Sequence, residues 1–251
     1  MGPANSCAFD FSGCAVLVTG GTSGIGHATA SAFADAGAAV TVTGTRGSAA
    51  DYEVDLGRFT YHQLDTRDPA AIDALGARSE VLDVLVNNAG ANFAGGLDEW
   101  DPDGFSAALE LNVEGAMRLT SRCRAALTAS VLPGGASVVN IVSMTAFRST
   151  TVVPGYSAAK AALLALTRNL AVHWVDDGIR VNAVAPGLIA TPMTAPMEHW
   201  PEMLDAELGK AAMARMGSVD EVAAAVLFLS CAASAYTTGA VFAIDGGYLA
   251  R

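Results

Sequence analysis

Short apolar runs alternate along the chain with longer stretches whose apolar residues recur every three or four positions. The runs are Ala15–Val18, Ala39–Thr43, Phe59–Leu64, Val81–Val86, Ser137–Val142, Ile179–Val184 and Ala240–Ile244, and within two residues each meets Gly, Asp, Asn, Ser or Pro. Runs this short and this apolar fit strands covered on both faces, as parallel sheets require. Between them, Ala28–Ala36 is helix-periodic and stops at Gly37, and a second helix is expected from about Pro102 to Thr128. A third carries Tyr156 and Lys160 to about Trp174, and Ser218–Leu229 opens on a capping serine with acids at 220 and 221. The stretches 47–58 and 68–80 leave room only for trimmed peripheral helices. Strand alternating with helix predicts an α/β fold: a Rossmann-like, doubly wound, parallel sheet of seven strands flanked by helices.

Ligands in such sheets bind beyond the carboxyl ends of the strands. The chemically suggestive positions, Thr19–Gly26, Asp65, Asn87–Gly90, Ser143 and Pro186–Thr191, all follow predicted strand ends. With 251 residues, 52% of them hydrophobic, the chain fits one domain. We place it at residues 12–251, with residues 1–11 a disordered leader and a substrate lid at about 188–215.

Composition removes several classes of partner. A net charge of −11 repels nucleic acid and anionic membranes, so neither is expected and the partner should be small. The longest apolar run, Val222–Leu229, is far shorter than the ~20 residues of a membrane span. With no signal pattern at the N-terminus, a soluble, cytoplasmic protein is expected. Cys7, Cys14, Cys123 and Cys231 show no CxxC spacing, and His27, His62, His173 and His199 form no HExxH pattern, so no metal is expected.

The sharpest chemistry lies at Tyr156 and Lys160, four residues apart on one face of a predicted helix. A free phenol titrates near 10, too high for ready proton exchange at neutrality. A cation ~5 Å away at an effective dielectric of ~20 favours phenolate by roughly 3 kcal/mol, or about 2 pKa units. The second signal is Thr19-Gly20-Gly21-Thr22-Ser23-Gly24-Ile25-Gly26, between a strand and a helix. Its glycines let the backbone approach a pyrophosphate at a helix N-terminus. After the second strand no carboxylate is present to grip the ribose 2′-hydroxyl of NAD; the chain reads Thr43-Gly44-Thr45-Arg46. Arg46 can pair with a 2′-phosphate, which favours NADP(H) over NAD(H), although an arginine in a loop is as often simply solvated.

These motifs, with Asn87-Asn88-Ala89-Gly90, Asn112, Ser143, Tyr156-x3-Lys160 and Pro186-Gly187, occur in an order and spacing that resembles the short-chain dehydrogenase/reductase family from about residue 12 to the end. The resemblance implies an NAD(P)(H)-dependent oxidoreductase that interconverts a carbonyl compound and its alcohol. It makes Tyr156 the acid/base, Ser143 the donor holding the substrate oxygen, Lys160 the ligand of the nicotinamide ribose that depresses the tyrosine pKa, and Asn112 the residue positioning a relay water. It assigns Thr19, Gly20, Thr22, Ser23, Gly24, Ile25 and Gly26 to the pyrophosphate turn and Asp65 to adenine. Asn87, Ala89 and Gly90 become a wall beside the cofactor, Thr45 and Arg46 the adenosine ribose contacts, and Pro186, Gly187, Ile189 and Thr191 the carboxamide side. Ser23 and Thr45 stand where NADP-using members carry basic residues, which counts against the phosphate.

Substrate choice falls to the loops around 92–96, 144–155 and 193–201. Their Phe93, Met144, Phe147, Val153, Met193, Met197 and Trp200 predict an apolar ketone or secondary alcohol. Acyl-carrier-protein or acyl-CoA ketoreduction is the rival within the family; for the carrier protein, Asp176-Asp177 at the end of the Tyr-Lys helix is the wrong charge. A non-catalytic NADP(H)-sensing protein is the rival of another class, and an intact Asn-Ser-Tyr-Lys set counts against it. The run Ala158–Leu166 is apolar around most of its helix and calls for a partner; a homo-oligomer is expected, and the resemblance implies a tetramer.

Overall fold

Alternate residues of each central strand enter opposite cores. In β1 (Ala15–Val18), Val16 and Val18 pack with Phe33 and Val226, whereas Leu17 between them joins Leu119, Leu127 and Leu170. In β4 (Val84–Asn87), Val84 and Val86 take the first side and Leu85 the second. A strand with both faces apolar can only sit inside a sheet covered on both faces. The covers are α1 (Gly24–Asp35) and α7 (Val219–Ser230) on one side, and α2 (Pro69–Gly76), α4 (Gly115–Thr128) and α5 (Pro154–His173) on the other.

The structure is a computed structural model describing residues 7–251. Its sheet has seven strands in the order β3-β2-β1-β4-β5-β6-β7, every pair parallel. The remaining strands are β2 (Ala39–Gly44), β3 (Thr60–Gln63), β5 (Ala136–Ile141), β6 (Ile179–Pro186) and β7 (Val241–Ile244). Because all run the same way, their carboxyl ends share one edge, and the order reverses between β1 and β4. That reversal opens the crevice in which this kind of sheet binds ligands.

The expected elements are present with shifted ends. α1 starts at Gly24 rather than Ala28, because the glycine turn winds straight into the helix. β4 starts at Val84: Leu82 gives its amide to Ala126 of α4, and Val81 is exposed. The helix expected over 102–128 is α3 (Pro102–Leu109) and α4, separated by a π-helical turn at Glu110–Glu114. The trimmed stretches hold one 3-10 turn at Ala49–Asp51 and the eight-residue α2. The expected lid carries a 3-10 turn at Ala195–His199 and α6 (Pro201–Leu208). Ser218 caps α7 in a reciprocal pair with Glu221.

The leader boundary needs correction. Residues 1–6 lie outside the described residues, but Phe11 is 2% exposed, meets Phe33 edge-on with ring centroids 4.8 Å apart, and gives its amide to Ala36 at 2.7 Å. Phe9 packs on the same cluster. The folded body therefore reaches back across the boundary drawn at residue 12. Among the described residues, no helix is long and apolar enough to cross a membrane, and no three His, Cys, Asp or Glu side chains gather in a way that could hold a metal.

Phe11→Ala tests that boundary. Emptying a buried aromatic site typically costs 3–5 kcal/mol. Urea unfolding should show a loss of that order, whereas a leader only draped on the surface would give a loss near zero.

Candidate active site

β1 and β4 are joined across the crevice by one hydroxyl. Thr19, 2% exposed, accepts the amides of Asn88 and Ala89, each at 3.0 Å, and Asn88 returns its side-chain amide to the carbonyls of Thr19 and Gly20 at 2.9 and 3.2 Å. Gly20 and Gly24 turn the chain at φ +63° and +49°, backbone that side chains resist. At Gly26 a Cβ would lie 2.3 Å from the Gly20 carbonyl oxygen, so the first turn of α1 closes directly on the loop. Ser23 caps α1 without a side-chain bond, and the first turn carries no acid. The amides of that turn have no side-chain acceptor, and the helix dipole adds partial positive charge, so the place suits a pyrophosphate.

From this turn a cavity of about 500 Å³ runs along the strand ends to Tyr156. At the adenosine end, Thr45, Tyr52, Asp65, Thr66 and Arg67 line it. The turn after β2 is held from outside: the Tyr52 hydroxyl accepts the Arg46 amide at 2.9 Å, and the Tyr61 hydroxyl donates to the Gly44 carbonyl at 3.0 Å. The Arg46 guanidinium lies 4.8 Å over the Tyr52 ring and bonds the Asp51 carbonyl; it does not line the cavity. Both Asp65 oxygens are taken by Arg67, which holds the carboxyl below its usual range. Asp65 does reach the cavity, but as half of an ion pair.

At the other end, β5 delivers Ser143 and α5 delivers Tyr156 and Lys160. The Ser143 oxygen accepts the Thr145 amide at 3.1 Å and the Thr145 hydroxyl at 3.0 Å. Two lone pairs are thus engaged, which leaves the serine proton free to face the Tyr156 oxygen, whose ionised form Ser143 favours. Lys160, 2% exposed, holds the Ile141 carbonyl at 2.9 Å, with its ammonium 5.5 Å from the Tyr156 ring centroid. Gly90 makes room for this: a Cβ there would lie 2.5 Å from Asn112 Oδ1 and 3.2 Å from Lys160 Nζ.

Asn112 sits in the π-helical turn, 1% exposed. Where a π turn shifts the amides to carbonyls five residues back, the carbonyl four back needs another donor. Asn112 Nδ2 supplies it to Ala108 at 3.0 Å, and the same amide group exchanges two bonds with the Ala91 backbone at 2.8 and 3.1 Å. The side chain therefore fixes the wall of the site.

Burial dominates the electrostatics. It pushes Tyr156 up to about 12, with the negative charge of Glu99 adding to the rise and the Ser143 hydroxyl opposing it. It pushes Lys160 down to about 8. The expectation of a tyrosine pKa brought below its free value is corrected for the protein by itself: the net shift is upward. Removing the hydroxyl from water outweighs a neighbouring cation that is itself penalised by burial.

Most expected cofactor residues line the cavity: Gly20, Thr22–Gly26, Thr45, Asp65, Ala89, Gly90, Tyr156, Lys160, Pro186, Gly187, Ile189 and Thr191. Asn87 does not. Its amide bonds Thr120 and Asn140, each at 2.8 Å, inside the core, and its neighbours 88–91 form the wall instead. Of the expected substrate residues, Phe93 and Met193 line the cavity, while Met144, Phe147, Val153, Met197 and Trp200 do not. Val153 is buried ahead of α5, and Trp200 is 59% exposed. Thr145, Tyr52 and Glu99 were missed. Thr145 had a signal, the Ser-x-Thr spacing of a side-chain turn; Tyr52, in the trimmed stretch 47–58, and Glu99, just ahead of the helix expected at Pro102, had no local pattern to mark them.

A family model described as enoyl-(acyl carrier protein) reductase matches residues 20–249. The galactitol 2-dehydrogenase (L-tagatose-forming) of Cereibacter sphaeroides is 36% identical over 248 residues, 96% of each chain. The 2-dehydro-3-deoxy-D-gluconate 5-dehydrogenase of Bacillus subtilis is 33% identical, covering 97% of this chain and 98% of its own. A crystal structure from Agrobacterium tumefaciens, described as that of a 2-deoxy-D-gluconate 3-dehydrogenase with bound NADP, superposes with a TM-score of 0.85 at 33% identity, over 98% of this chain and all of its own.

The buried ammonium leaves a mark on stability. Lys160 titrates at about 8 when folded and near 10.5 when unfolded, so from pH 8 to 10.5 the unfolded chain binds more protons. Over that window its desolvation penalty, roughly 3 kcal/mol, is relieved as pH rises. Lys160→Met removes this relief. Urea unfolding should find the variant gaining on the wild type at pH 7.5 and losing that gain by pH 10.5; an equal difference at both pH values would refute the shift.

Proposed function

The chain belongs to the short-chain dehydrogenase/reductase family, and from that premise we propose that it interconverts a largely apolar ketone and its secondary alcohol with a nicotinamide cofactor, Tyr156 moving the proton. The observation that carries this reading is one cavity with an anion-binding glycine turn at one end and Ser143, Tyr156 and Lys160 converging at the other. The nicotinamide, when bound, supplies or accepts the hydride.

Ser143 directs its free proton at the substrate oxygen, and Tyr156 protonates that oxygen in reduction or takes its proton in oxidation. At about 8, Lys160 still carries its charge at pH 7, so it favours phenolate when Tyr156 acts as the base. Asn112 holds Ala91 and the π turn in place beside them.

We read the cofactor as NADP(H) in preference to NAD(H). Support comes from the absence of a carboxylate in Gly44-Thr45-Arg46, and from the exposed Arg46, whose stacking on Tyr52 is readily exchanged for a phosphate. The NADP in the Agrobacterium relative agrees. The substrate end is lined by Ala91, Phe93, Ala94, Pro192 and Met193, with no charged side chain besides Lys160. Hydroxyl-rich substrates like those named for the relatives need more donors and acceptors than this wall offers, which favours an apolar substrate. For acyl-carrier-protein reduction, the net charge of −11 and Asp176-Asp177 oppose an acidic carrier. We further propose a cytoplasmic tetramer, supported by the exposed face of α5, where Ala161, Ala162, Ala165 and Val172 present small or apolar side chains.

Two measurements test this. Melting of the wild type with NADPH and NADH side by side should rise mainly with NADPH, by the equivalent of ~2.7 kcal/mol at 100 times Kd; a rise with NADH alone would reverse the cofactor choice. In Tyr156→Phe that rise should persist while turnover falls by at least about 10³-fold, and full activity would remove Tyr156 from the chemistry. In a panel holding apolar secondary alcohols and hexitols, the apolar members should be oxidised with the higher kcat/KM.

A further inference from the structure

Glu99 is 1% exposed, lies between β4 and α3, and makes no ion pair among the described residues. Its partners are two backbone amides from distant segments: Oε1 accepts from Phe93 and Oε2 from Tyr156, each at 2.8 Å. A buried carboxylate is costly unless its charge is answered. Here the answer is the N-terminus of α5, a 20-residue helix in which Tyr156 is the third residue. Gly155 lets the first turn of α5 sit directly against α3, since a Cβ there would stand 2.9 Å from the Ala108 Cβ. The next residue repeats the link: Trp100 Nε1 donates to the Thr151 carbonyl at 2.9 Å, just ahead of the same helix.

The other end of the bridge is equally constrained. Phe93 holds a left-handed backbone, φ 49° and ψ 50°, which a non-glycine side chain resists, and it lines the substrate end of the cavity. Two amides in different segments need two acceptor oxygens, and a carboxylate is the side chain that offers both. We propose that Glu99 is a positioning residue whose single carboxylate locks the substrate-side loop to the first turn of the catalytic helix, fixing where Tyr156 and Phe93 stand relative to one another. The inference rests on Tyr156 being the acid/base.

The same carboxylate bears on the phenol's proton. The ionisable groups facing Tyr156 are Lys160 from its own helix and Glu99 from the loop; Ser143 from β5 is neutral, as is Asn112 from the π turn, whose Oδ1 with Lys160 Nζ flanks the space at Gly90. A negative charge at Glu99 opposes phenolate. Taking it away should make Tyr156 a base at lower pH.

The test is Glu99→Gln in the full chain, assayed for NADP-dependent oxidation of a secondary alcohol across pH. The expected result is a kcat lower by about tenfold or more from misplacement, with the midpoint of the rise in kcat about one unit lower. Trp100→Phe, which cuts the second tie but keeps the charge, should leave the midpoint in place. An unmoved or raised midpoint in Glu99→Gln overturns the proposal whatever happens to kcat. If that variant does not fold, amide exchange in the wild type decides: Phe93 and Tyr156 should be protected together, and Phe93 exchanging as an open loop overturns it. No wild-type turnover on any alcohol would defeat the assignment of Tyr156 instead, and the exchange measurement would still stand on its own.

Discussion

A sheet covered on both faces leaves its polar chemistry only the strand ends. The alternation of Val16, Leu17 and Val18, repeated in Val84, Leu85 and Val86, commits both faces to apolar cover. Because every strand pair is parallel, the uncovered carboxyl ends gather on one edge, and the crevice between β1 and β4 divides it. Residues far apart in sequence therefore meet without any long-range attraction of their own. Thr19 with Asn88 and Ala89, Gly90 with Asn112 and Lys160, and Ser143 with Tyr156 are products of that geometry.

The edge is not a solvated surface, and this shapes its electrostatics. Lys160 is as buried as a core leucine, and its ammonium is answered by the Ile141 carbonyl rather than by a carboxylate. Burial drives the lysine toward neutrality and the tyrosine toward holding its proton, so their pKa values, about 8 and about 12, move toward the uncharged forms together. A carboxylate counter-ion for Lys160 would have restored its charge and cancelled its influence on the phenol. The site instead keeps a cation with only a dipole for company, so the charge of an oxidised nicotinamide would add to it rather than be screened.

The sheet, its order of motifs and the capped α7 were legible because each follows from local rules: period, glycine and capping chemistry. Tyr156 and Lys160 were legible for the same reason, since four residues on a helix set their relation. What escaped depended on long-range closure. Nothing within the stretch 102–128 announces a π turn, and the partner that Asn112 meets there, Ala91, is 21 positions away. Asn87 looked like a cofactor wall by its place at the end of β4, but its amide faces Thr120 and Asn140. Five of the seven residues expected to form the substrate wall miss the cavity, because proximity in sequence to the catalytic residues does not say which side of a loop faces in. Phe11 was hidden by its position: an aromatic next to a polar leader reads as part of it until Phe33 is seen across the gap.

Glu99 shows how chemistry and wall are joined. A loop that shapes a substrate site usually varies independently of the groups that react, because it hangs on its own turns. Here the loop bearing Phe93 hangs on the same carboxylate that holds the Tyr156 amide, with Trp100 and Thr151 as a second tie. A change in the wall is then felt at the phenol, and a substrate that displaces Phe93 works against the first turn of α5. Selectivity and proton transfer are therefore coupled in this fold through one buried charge, which explains why a group so costly to bury sits where a neutral side chain could have filled the space.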